Sequence, residues 1–174
     1  MTAAAIFDLD RTLLAGSSTP AFMRHLSEAG ISDGISLPLI DPVVEVGKRV
    51  VKTMFDFVGE SRLLMQSLKL AVRASSGWSV DDVRAASRAA AVEIADQVQP
   101  FAQLLIDEHR AAGRVLVLAS TSPLAFTKPL AEELGFDHVI GTAWGHDGDD
   151  YTGELDGPFV WGPAKADAIA DWAE

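Results

Sequence analysis

The stretch AAIFDLDRTLLAG, residues 4–16, decides how the rest of the chain is read. A short apolar run leads straight into Asp8 and Asp10, with Thr12 two residues on and Gly16 closing the segment. An apolar run of this length, bounded by polar turn residues, reads as a buried strand. In an extended segment side chains alternate, so Asp8 and Asp10 are expected to point the same way, with Leu9 opposite. Two carboxylates held that close require a cation or a shared proton. An oxygen-only pair suits Mg²⁺, which takes one or two carboxylates and fills its other positions with water and substrate phosphate. A lone D-x-D carries little weight, because solvated turns and metal-dependent glycosyltransferases show the same spacing. Its place at the end of a buried strand is what points to a site.

Composition removes several function classes. The chain has 174 residues, is 48% apolar and carries a formal charge of −11. That length fits one domain, or one domain with an inserted subdomain, and fills a real core. The negative balance argues against duplex nucleic acid as a partner. With no cysteine there is no disulfide framework, thiolate metal site or thiol nucleophile. The N-terminus lacks the basic-then-apolar layout of a signal peptide. No apolar run reaches the roughly 20 residues of a membrane span. A cytoplasmic setting is the expectation.

Strand and helix alternate at both ends of the chain. Residues 4–10, 114–120 and 137–144 read as buried strands. Helical spacing runs over 20–31, 44–58, 61–74, 79–98, 101–113, 122–135 and 162–174, and residues 145–157 read as a turn-rich hairpin. Ser79 is placed as a helix N-cap. This alternation predicts a parallel sheet in an α/β domain. A single crossover helix needs far fewer residues than separate the first two strands. The interval is read as an inserted helical cap, residues 17–98, with residues 1–16 and 99–174 forming the core. A cap there sits over the C-terminal strand ends, where open α/β sheets bind ligands.

Two further elements keep company with the aspartates. Ser120 ends the second strand, followed by Thr121, Ser122 and Pro123 at a helix start, where hydroxyls and free N–H groups form an anion site. The bland alternative there is capping by Ser122. Lys165 lies in the first turn of the last helix, where it opposes the helix dipole. It is either solvated or neutralises an anion held between the aspartates and Ser120. Together these groups describe phosphoryl transfer through an aspartyl-phosphate.

With FDLDRTLL, VLVLASTSP and YTGELDGPFVWGPAK in this order, the sequence resembles the haloacid-dehalogenase superfamily, in its phosphoserine-phosphatase-like subfamily with a helical cap. The resemblance covers nearly the whole chain and implies a Rossmann-like core. It implies that Asp8 is the nucleophile and a Mg²⁺ ligand. Asp10 is implied to be the general acid and then base, with its main-chain carbonyl on the metal. Thr12 is implied to support the first loop at the phosphate site, Ser120 and Thr121 to bind the phosphoryl group, and Lys165 to hold the charges together. Arg11 stands where the family commonly has small residues, at a position that offers its N–H.

The family's fourth motif, an acidic loop following the lysine helix, has no counterpart before the chain stops at Glu174, so the core is expected to be truncated. A missing segment or a partner is expected beside the first strand, whose edge is otherwise open. The acids of 145–157 do not follow the spacing of an EF-hand loop and read as a solvated turn. The four histidines are scattered and suggest no zinc site. Trp144, Trp161 and Trp172 read as packing residues. Residues 43–73 carry six basic against three acidic side chains, which suits an anionic substrate, an anionic lipid or a solvated face. The main expectation is a Mg²⁺-dependent phosphomonoester hydrolase acting on a small phosphorylated metabolite. The alternatives are a phosphomutase and a non-catalytic regulatory domain, in the latter case as the N-terminal part of a protein with a glycerolipid acyltransferase domain.

Overall fold

The computed structural model describes residues 3–32 and 72–174. The helix expected at 44–58, most of that at 61–74 and most of the basic segment lie outside these residues; 72–74 are helical.

Strand β1 (Ala4–Asp8) pairs in parallel with β2 (Val115–Pro123), which pairs in parallel with β3 (His138–Thr142), in the order β1-β2-β3. The register sets Asp8 beside Ala119 and Ala119 beside Ile140, so the uninterrupted ladder breaks off at one level across the three strands. Helices α1 (Thr19–Glu28), α2 (Val80–Ala95) and α3 (Pro100–Ala111) lie in the connection between β1 and β2. Helix α4 (Leu124–Glu133) makes the crossover to β3. A hairpin follows, β4 (Trp144–Asp147) with β5 (Asp150–Leu155), then helix α5 (Pro163–Ala173).

Alternation along the strands sorts the core into two layers. Ala5, Phe7, Leu116 and Leu118 face one side and pack with residues of α1 to α4, including Phe22, Val83, Ile94, Ile106 and Leu130. Val117, Ala119 and Ile140 face the other side under Ala168, Ile169 and Trp172 of α5. Helices on both faces are the arrangement a parallel sheet requires. Trp144 and Trp172 pack in these layers, as expected. Residues of α1 and α2, in the segment read as a cap, share the apolar layer of the sheet.

Several boundaries differ from the expectation. The second strand runs on to Pro123, because Pro123 pairs with Thr142 after a break that leaves Ser120–Ser122 unpaired. The third strand stops at Thr142, and Trp144 turns away to pair with Leu155. Ser122 does not cap α4: Pro123 stands at that position, and the Ser122 N–H donates to Ser120 Oγ at 3.1 Å. Ser79 does cap α2, accepting from the Asp82 N–H at 3.2 Å.

Gly141 is where β3 passes the Ser120–Pro123 segment. A Cβ at this position would lie 2.9 Å from the Ser122 carbonyl oxygen and 3.1 Å from Leu124 Cδ2. The Ser122 carbonyl is backbone and cannot swing aside. Gly141→Ala is expected to destabilise the fold by about 1–3 kcal/mol, the usual cost of overpacking, read as a lower midpoint in urea unfolding. An unchanged midpoint would show that the segment yields.

Candidate active site

The site is built where β1 gives out. Asp8 has extended backbone (φ −87°, ψ 154°), and so does Asp10 (φ −73°, ψ 129°). Leu9 between them is fully buried, so the core holds the middle residue while both aspartates are turned away from full burial. The strand itself ends at Asp8 and a wide turn follows, closed by the Leu14 N–H on the Leu9 carbonyl at 3.0 Å. Arg11 takes φ 62°, the left-handed region that non-glycine residues rarely enter. Its N–H donates to the Gly16 carbonyl at 3.0 Å.

Each oxygen of Asp8 has a partner. Thr12 Oγ1 donates to Oδ2 at 2.8 Å, and Lys165 Nζ lies 2.5 Å from Oδ1. The lysine arrives from the first turn of α5, whose N-cap Gly162 has φ 54°, ψ −127°. Glycine reaches that backbone conformation without a Cβ penalty. Lys165 is 22% exposed and Asp8 43%, so the pair is partly open to solvent.

Asp10 is held differently. Its Oδ1 accepts the Ser18 N–H at 2.6 Å, at the start of α1. Burial raises its pKa above 3.8; hydrogen bonding by Ser18 works against that, and the charge of Asp8 adds to the rise. The two aspartates thus have different environments: one paired with a cation, the other biased toward its protonated form.

Ser120 lies in the unpaired segment of β2, buried at 2% exposure, its Oγ accepting from the Ser122 N–H. Its hydroxyl proton is left to donate elsewhere. The Thr121 carbonyl accepts from Thr142 Oγ1 at 3.1 Å, which ties β3 to this segment. Asp8, Thr12 and Lys165 are in direct contact, and Asp10 feels the charge of Asp8. Ser120 and Thr121 begin one residue past Ala119, the register partner of Asp8, on the neighbouring strand.

Two contributors escaped the sequence reading. Ser18 was part of an unremarkable helix start; the Ser-Thr-Pro run at 18–20 was its only signal. Gln99 braces the first loop, its Nε2 donating to the Thr12 carbonyl at 3.0 Å and its N–H to Leu13 at 2.9 Å. Nothing local announces a contact that spans 87 residues.

No group of three or more His, Cys, Asp or Glu side chains that could hold a metal occurs among the described residues. The oxygen donors that Asp8 and Asp10 offer are hard. They fit Mg²⁺ in its mode of few protein ligands and several waters.

Comparison with known proteins agrees with this geometry. The sequence profile of haloacid dehalogenase-like hydrolases matches residues 5–174. An "Inhibition of morphological differentiation protein" of Streptomyces azureus is 33% identical over 98% of this chain and 59% of its own length. A probable phosphatase of Mycobacterium tuberculosis is 29% identical over 98% of this chain and 57% of its own. The chain thus spans somewhat over half the length of these relatives. In fold, it matches a Bordetella pertussis protein of unknown function at TM-score 0.75, with 21% identity, covering 99% of this chain and 74% of the other. It also matches a phosphoserine phosphatase solved as a phospho-aspartyl intermediate analogue, at TM-score 0.54 and 20% identity, covering 99% and 71%. A strand-end aspartate paired with a distant lysine, inside a profile match over almost every residue, places this chain in the haloacid dehalogenase-like hydrolase family.

Proposed function

We propose that this chain carries the site of a Mg²⁺-dependent phosphomonoester hydrolase that works through an aspartyl-phosphate on Asp8. The observation that carries the reading is the contact of Lys165 Nζ with Asp8 Oδ1 across 157 residues of sequence, beside an Asp10 that burial biases toward its acid form. A carboxylate nucleophile needs an adjacent cation when a phosphate dianion approaches. Leaving-group departure needs a proton held nearby.

In this mechanism an Asp8 oxygen attacks phosphorus and the bond from phosphorus to the ester oxygen breaks. Asp10 gives its proton to the departing alkoxide. Asp10, now a carboxylate, takes a proton from a water whose oxygen attacks the aspartyl-phosphate. That step releases inorganic phosphate and restores the Asp8 carboxylate. Thr12 orients Asp8, and the Lys165 charge offsets the negative charge that gathers on the nucleophile and the phosphoryl oxygens. Ser120 Oγ and the Thr121 segment are proposed to hydrogen-bond those oxygens. Asp8 and the Asp10 carbonyl would hold Mg²⁺, which when bound neutralises phosphoryl charge.

The proposed substrate is a small phosphorylated metabolite in the cytoplasm. The relative named a probable phosphatase and the phosphoserine phosphatase likeness both support a phosphoryl ester. No helix among the described residues is long and apolar enough to cross a membrane. Among the described residues strand β1 lies at the edge of the sheet, which supports a further segment or partner beside it.

Two experiments test these roles. Asp8→Asn is expected to abolish phosphate release from aryl phosphates while leaving the circular dichroism spectrum unchanged; full turnover in that variant would overturn the mechanism. Asp10→Asn tests the buried acid. Because its folded pKa is raised, the folded chain binds more protons than the unfolded chain above pH 3.8. Its stability therefore falls as pH rises through that window and stays lower above it. The asparagine variant is expected to melt at a higher temperature than the parent at pH 7, with the gain shrinking as pH falls toward the ordinary aspartate range. A gain independent of pH would contradict the buried-acid assignment.

A further inference from the structure

A second cleft lies away from the aspartates, where α2, α4 and the β4–β5 hairpin meet. Its volume is about 290 Å³, and Arg84, Arg88, Lys128, Trp144, His146 and Tyr151 are among its lining residues. That volume is at the small end for ligand pockets, the size of a small metabolite rather than a nucleotide. None of these residues contacts Asp8 or Asp10.

The three elements are locked in place. The Val80 N–H donates to the Asp149 carbonyl at 2.8 Å and the Tyr151 N–H to the Trp78 carbonyl at 2.9 Å, fixing the start of α2 on the hairpin. His146 sits opposite Tyr151 across the hairpin, so both present the same face. The Trp144 and Tyr151 rings meet edge-on at 5.4 Å. Arg84 and Arg88 are one helical turn apart on α2, a like-charge spacing that costs stability unless an anion intervenes.

The charge is unusual for this protein. In a chain of net −11, three permanent cations converge here against two acids, Glu132 and Asp156. Arg84 pairs with exposed Asp81, but neither Arg88 nor Lys128 has an ion pair among the described residues. The Arg84 charge also reaches Tyr151, opposing the rise in its pKa that burial causes. Independently of the cations, Trp144 is 8% exposed and its indole Nε1 is buried without a hydrogen-bond acceptor among the described residues. Both rings, Trp144 and Tyr151, are buried, while Arg84, Arg88 and Lys128 are exposed.

We propose that this cleft is a binding site for a small organic oxyanion, a phosphate or carboxylate group on a short or aromatic body, held by Arg88, Lys128 and Arg84 above the Trp144–Tyr151 wall. It is separate from the phosphoryl-transfer site and does not depend on that reading.

The test is a titration of the 174-residue chain with phenylphosphonate and, in parallel, benzoate, followed at the Trp144 indole resonance by ¹H–¹⁵N correlation spectroscopy. Saturable movement of that resonance with either probe is expected, and which probe binds more tightly tells a phosphate from a carboxylate ligand. Arg88→Glu is expected to weaken binding about tenfold or more, the worth of a charge-assisted contact, with Arg88→Lys in between. Asp8→Asn is expected to leave the titration unchanged. An unmoved Trp144 resonance with both probes, full binding in Arg88→Glu, or loss of binding in Asp8→Asn would each overturn the proposal, the last by placing the probe at the aspartates.

Discussion

The contact between Lys165 and Asp8 joins the last helix to the first strand, and the arrangement of the site depends on it. Asp8 stands at the end of a strand whose register puts it beside Ala119. Lys165 stands one turn into a helix that covers the opposite face of the same sheet. The parallel sheet, whose ladder breaks off at Asp8, Ala119 and Ile140, brings these two ends of the chain together. The ammonium then lies 2.5 Å from one carboxylate oxygen while Thr12 holds the other. In a chain of net −11 this lysine places one positive charge directly on the strand-end carboxylate.

Burial divides the labour between the two aspartates. The same wide turn that exposes Asp8 to its lysine folds Asp10 back under the start of α1, where the Ser18 N–H holds it. Asp8 keeps partial access to solvent and a cation. Asp10 loses most of its solvent, and desolvation outweighs the hydrogen bonding that would favour its charge. Arg11 pays for this geometry with a left-handed backbone, and its side chain is exposed, which explains how a large residue is accommodated there.

The remainder of the structure serves to hold strand ends and helix starts still. Gly141 lets β3 approach the Ser122 carbonyl closely, and Thr142 reaches the Thr121 carbonyl from the same strand. Gln99 ties the entry to α3 to the first loop. These contacts explain why the Ser120–Ser122 segment can leave the sheet ladder without losing its position.

Much of this was legible in the order of residues. The apolar run before Asp8, the strand before Ser120, the alternation of strand and helix, the Ser79 cap and the hairpin follow from local preferences, because side-chain periodicity and turn chemistry act over a few residues. Asp8, Thr12 and Lys165 stood out for the same reason, each sitting at an element's end. The tertiary structure alone decided what depends on packing: the hold of Ser18 on Asp10, the brace from Gln99, the continuation of β2 to Pro123 and the meeting of Arg84, Arg88, Lys128 and Trp144 around one cleft. Desolvation and proximity belong to the packed chain, and no local pattern of residues encodes them.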